Sequence, residues 1–222
     1  MSEDFFEPPP APAEPPPRPA HPPWFGPPAG ILPGVVALEL VLARSERAAV
    51  CVSRIGAYPT GFEIALLTMA GEDDEALDPG LFGMRRHRMR RRAQAGGSLP
   101  DDTLRFGVQF SDGRKATSTA GMGPPHREEP TGPVLSPSGG GGGGGNWRAN
   151  LWVWPLPPAG ALALVCEWPA AGIALTRHDV DAALILEAAA RAQLVFEGAS
   201  GGASGASVTV ARASGRAGEG PG

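Results

Sequence analysis

The chain has 222 residues, and 58 of them are glycine (32) or proline (26), so the folded part is shorter than the whole and holds one hydrophobic core. A formal charge of -4 excludes a globally basic nucleic-acid binder but leaves room for a local patch. Two cysteines are too few for a disulfide scaffold.

The start, MSEDFFEPPP, has neither the positive charge nor the apolar stretch of a secretory signal, and no apolar run is long enough to cross a bilayer. A cytoplasmic protein without membrane insertion is expected. Residues 7–28 contain twelve prolines, which lack the amide hydrogen a ladder needs, so residues 1–29 read as a disordered, extended arm. Trp24 and Phe25, at its end, are expected to lie back on the domain that follows.

Alternation of apolar residues predicts strands over 35–42 (Val36, Leu38, Leu40 and Leu42 on one face), 48–55 and 61–70, with Tyr58-Pro59-Thr60-Gly61 as a turn. No helical stretch separates them, so they pair antiparallel. Residues 71–100 read as a long surface loop, acidic first and then intensely basic: Arg85, Arg86, Arg88, Arg90, Arg91 and Arg92 fall within eight residues. Guanidinium groups match phosphate oxygens, which makes this run the candidate anion site for nucleic acid or an acidic protein. No aromatic residue accompanies it as a stacking platform.

In LRFGVQFSDGRKATS, residues 104–118, an alternating strand meets Asp112-Gly113 and returns, which is a hairpin signal. Asp112, Arg114 and Lys115 at its tip are candidate contacts for a partner. Residues 120–146, with seven consecutive glycines at 139–145, read as a flexible loop. They lack the spacing and flanking residues of a phosphate-binding loop.

Further strands are predicted at 150–154, 161–168 and 173–177, before a helix at about 180–193 that an aspartate (Asp179 or Asp181) caps. Residues 198–222 read as a disordered glycine–alanine tail. Leu38, Leu40, Val50, Val52, Ile64, Leu66, Phe106, Val108, Val153, Leu164 and Leu184 form the expected core.

Chemistry is sparse. The four histidines make no zinc pattern, the cysteines have no paired metal spacing, and no nucleophile elbow occurs, so no metal, cofactor or catalytic residue is assigned. Cys51 and Cys166 read as small buried hydrophobes, with a bridge between neighbouring strands as the alternative. His178-Asp179-x-Asp181 reads as a capped helix start, with a metal ligand set as the alternative. Glu39, Glu63 and Glu167 each sit in a strand, where paired acids for glycoside chemistry would require two of them to converge.

The blocks YPTGFE at 58–63, RFGVQFSDGRKAT at 105–117, WVWPLPP at 152–158 and CEWPAAGI at 166–173 resemble a group of proteins from high-GC actinobacteria. The resemblance spans roughly residues 24–197 and brings no established activity.

The expectation is therefore a mainly β, antiparallel sandwich-like domain over residues 30–197 with one C-terminal helix, a partly closed barrel being the alternative. Its expected role is non-catalytic contact with a protein partner or with itself. That contact runs through a tryptophan-rich strand face (Trp152 and Trp154) rimmed by Asp112, Arg114 and Lys115. The alternatives are a hydrolase pocket built on the sandwich and anion binding by the arginine run.

Overall fold

Period-two alternation places apolar side chains on one face of each strand, and two such faces close against each other in this protein. The computed structural model describes residues 21–71, 99–119 and 128–196. In chain order the strands are β1 (Ile31–Leu32), β2 (Gly34–Arg44), β3 (Ala48–Tyr58), β4 (Gly61–Ala70), β5 (Arg105–Gln109), β6 (Lys115–Thr117), β7 (Val134–Gly143), β8 (Asn146–Trp154), β9 (Ala161–Trp168), β10 (Ile173–Asp181) and β11 (Gln193–Leu194). One helix, α1 (Ala182–Ala190), follows β10.

Every pairing among the described residues is antiparallel. A five-stranded sheet runs β2-β3-β4-β8-β7, a four-stranded sheet runs β10-β9-β5-β6, and β1 pairs with β11. The architecture is a sandwich, and the described strands form no closed barrel. Inward residues of the large sheet (Val50, Val52, Ile55, Phe62, Ile64, Leu66, Leu151, Val153) and of the small one (Phe106, Val108, Leu162, Leu164, Cys166, Trp168) share a single core. Burying these side chains supplies the main driving force for the fold.

Turn chemistry fixes the registers. Pro59 and Thr60 connect the paired Tyr58 and Gly61. Phe110 and Arg114 close the β5–β6 hairpin through an Arg114 carbonyl contact of 2.8 Å, with Gly113 at φ 87°. At the β2–β3 turn, Ser45 Oγ accepts from the amides of Arg47 and Ala48, each at 3.1 Å.

The same hydroxyl donates to Ala171 O at 2.6 Å, which ties this turn to the 3-10 turn Pro169–Ala171 after β9. Arg47 adds a guanidinium hydrogen bond to the carbonyl of Ala170.

Several sequence expectations are corrected. The glycine run is a strand rather than a loop: Gly139 to Gly143 pair with Asn150 to Asn146. Gly144 and Gly145 alone make the turn, at φ 57° and 76°. A two-residue hairpin loop with positive φ at both positions is the type I′ geometry that glycine adopts without a β-carbon clash.

Strand β10 extends to Asp181 because its ladder with β9 continues to Ala161. The helix is accordingly shorter than 180–193. It starts at Ala182 with Asp181 accepting from the amide of Ala183 at 2.9 Å.

That start sets the phase, so Ala182, Ile185, Ala188 and Ala189 are buried and Leu184 is exposed instead of lying in the core. Cys51 and Cys166 are both free thiols in different sheets, which removes the bridge. Leu38 and Leu40 pack only half-buried against the core beside a bulge in β2. The remaining expected core residues are buried.

The arginine run 85–92, residues 1–20 of the arm and the 198–222 tail lie outside the described residues. No helix among the described residues is long and apolar enough to cross a membrane.

Candidate functional site

The outer face of the four-stranded sheet carries a groove of about 430 Å³. Its construction follows from register. Gly107 stands beside Thr117 on one side and Val165 on the other, and Val165 stands beside Arg177, so these four residues form a row across all four strands. The neighbouring rows place Lys115 beside Gln109, and Arg105 beside Glu167.

Small residues at the centre and long ones around them leave the depression. A β-carbon on Gly107 would stand 3.0 Å from Ala116 O and 3.2 Å from Thr117 Cγ2, so the floor has no space for a side chain without local movement. Thr119 and Leu175 complete the rim, and Leu175 is 70% exposed.

The polar rim is pre-set by its own contacts. Arg105 Nη1 donates to Glu167 Oε2 at 2.6 Å, and Nη2 donates to Leu99 O and Asp101 Oδ1, both at 3.3 Å. Arg105 Nε is buried with no partner among the described residues. Arg177 donates from Nη1 to Gln109 Oε1 at 2.7 Å and from Nε to Asp179 Oδ1 at 3.0 Å. Lys115 is the lining cation without an ion pair among the described residues. Guanidinium groups held in fixed orientations recognise planar acceptors with little further ordering cost.

Of the candidate partner contacts, only Lys115 lines this groove. Asp112 and Arg114 spend their charges on each other. Asp112 Oδ1 accepts from the Arg114 amide at 3.0 Å and Oδ2 accepts from Arg114 Nε at 2.7 Å. The hydrogen bond from the Arg114 amide, followed by that from its guanidinium, holds the Asp112 carboxyl below the usual carboxylate range. Arg114 also lies over the Phe110 ring, 5.5 Å from its centroid.

Trp152 and Trp154 sit on the opposite side of the molecule, the outer face of the five-stranded sheet. Trp152 is fully buried and is not a surface residue. Its ring lies over Gly61, its Nε1 donates to Pro23 O at 3.1 Å, and Tyr58 meets it edge-on at 5.6 Å. Trp24 meets Trp154 edge-on at 5.7 Å. The end of the arm thus lies back on the domain and covers the tryptophan face from within.

Beside Trp152 in register stands Glu63, which is buried and accepts from Ser138 Oγ at 2.6 Å.

The three strand glutamates do not converge. Glu63 faces outward from the large sheet, Glu167 faces outward from the small one, and Glu39 is exposed at the β2 bulge with φ 44°. His178 is exposed, and Asp181 serves as the helix cap. Among the described residues no three of His, Cys, Asp and Glu are grouped to hold a metal.

Sequence reading missed Arg105, Gln109 and Arg177. Alternation with Phe106 and Val108 turns Arg105 and Gln109 outward, but Arg177 shares the parity of Ile173 and Leu175. Only the ladder registers, with the shift between Ile173 and Thr176, bring the three together. Searches against family models, curated proteins and solved structures found no match to this chain.

Proposed function

We propose that the chain is a non-catalytic binding module that contacts a protein partner through the groove on its four-stranded sheet. The supporting observation is the groove's make-up: oriented Arg105 and Arg177, an uncommitted Lys115, and an exposed Leu175 over a floor of Gly107 and Val165. Its lining carboxylate, Glu167, is already engaged by Arg105, so the site offers recognition groups and no poised acid–base pair. Interfaces combine an apolar centre with a polar rim, and a partner segment bringing a carboxylate to Lys115 fits this one.

The test is a pull-down from the source cells with wild type and a Lys115→Glu, Leu175→Asp double variant. Both positions are exposed, so the variant should fold, as circular dichroism will check. We expect a protein retained by wild type to be lost by the variant and kept by a Val41→Asp control on the exposed edge of the other sheet. Identical retained sets for wild type and the groove variant would refute the reading.

A further inference from the structure

A second surface carries an inference independent of the groove. Segments rich in proline are recognised by aromatic shelves, where an indole N–H donates to a carbonyl beside a proline. The outer face of the five-stranded sheet has both parts. Tyr58, Trp152 and Trp154 form the shelf, and Trp152 Nε1 donates to the carbonyl of Pro23. The segment seated there is a turn: the Phe25 amide donates to Pro22 O at 3.0 Å, which brings Trp24 back against Trp154. Proline after the first residue pre-sets that turn.

We infer that this face is a docking site for a proline–aromatic peptide of another protein, two prolines followed by two aromatic residues, and that Pro22–Phe25 occupies it in cis. The seated segment itself defines the chemistry of the occupant. Its fit is imperfect, because Trp24 Nε1 is buried with no acceptor among the described residues. A buried donor without a partner weakens the seat that holds it. Pro22–Phe25 also belongs to no strand, and among the described residues the first ladder begins at Ile31, so lifting the turn breaks no described sheet pairing. A competing peptide therefore displaces one turn, not an element of the sandwich.

The experiment uses the full chain and a fluorescein-labelled peptide with the sequence of residues 21–29, read by fluorescence anisotropy. Trp24→Ala loosens the cis occupant and should bind the peptide about tenfold tighter than wild type, while Trp152→Phe in that background, which keeps a ring and removes the donor, should weaken binding about tenfold. A peptide with phenylalanine in place of its tryptophan should bind at least as well, since it brings no orphaned indole N–H. Circular dichroism and urea unfolding establish that each variant is folded.

No saturable binding to folded Trp24→Ala protein overturns the proposal, as does binding indifferent to Trp152→Phe. Should wild type instead form a dimer that Trp24→Ala abolishes, the occupant is the arm of a second copy, and the assignment to another protein fails.

Discussion

Burial pushes the Cys166 thiol up to about 11, inside the core between Val165 and Glu167. Cys51 is also raised by burial, but it stands half-buried on the outer face of the large sheet, beside Val41 and Leu67. Since the thiolate is the reactive form, access as well as ionisation separates them. With a maleimide at pH 8, we expect one thiol per chain to label in the native state and the second only in denaturant, with Cys51 identified by peptide mapping. Labelling of Cys166 in folded protein would contradict its place in the core.

Residue-scale legibility was uneven for the same reason. Phe106 and Cys166 could be assigned to the inside from their neighbours, whereas Leu184 and Ile185 look alike until the helix start sets which of them turns inward.

Among the elements, β7 is the most informative. Alternation made β3, β4 and β9 visible because their side chains differ between faces. A glycine strand has no such contrast, and what makes it a strand is its partner β8 and the Gly144-Gly145 turn.

Two substitutions separate these causes. A β-carbon at Gly141 meets nothing within 4 Å, while one at Gly142 would stand 2.2 Å from Asn146 O. Gly141→Thr should therefore stabilise by about 0.5 kcal/mol, through reduced freedom of the unfolded chain and a better strand former. Gly142→Ala should destabilise by about 1–3 kcal/mol through the clash. Urea midpoints measure both, and equal effects would show that the hairpin register is not as described.

The groove was hidden at this scale too. Arg105, Gln109 and Arg177 come from β5 and β10, and the β9 ladder between those strands brings them onto one face.

For the whole molecule, the alkaline limb of stability reports on the closed core. Cys166 is raised by burial, and Tyr58 is raised first by burial and then by the Glu63 charge, against a lowering by Arg54. A group raised on folding keeps its full contribution below its unfolded value and loses it as pH climbs towards the folded one. For Cys166 that window runs from its ordinary value of 9.0 to about 11, and Tyr58 extends the decline above its ordinary 10.0.

Stability should fall across this window and should fall less in a Cys166→Ala variant. The decisive quantity is the pH slope rather than the absolute midpoint, which the smaller side chain also lowers. An unchanged slope would place the thiol in water.

The pair β1–β11 has a mechanical and topological meaning. Ile31 stands beside Leu194, and the amide of Val195 donates to Gly30 O at 2.8 Å, so the strand that enters the described sandwich and the strand that leaves it lie side by side. Tension applied at these two points peels a two-residue ladder one bond at a time instead of shearing it, and such a seam opens at low force while the two large sheets stay intact. The same adjacency lets a short peptide join residue 194 to residue 31 without spanning the fold, so the order of the strands along the chain can be rotated and the sandwich kept.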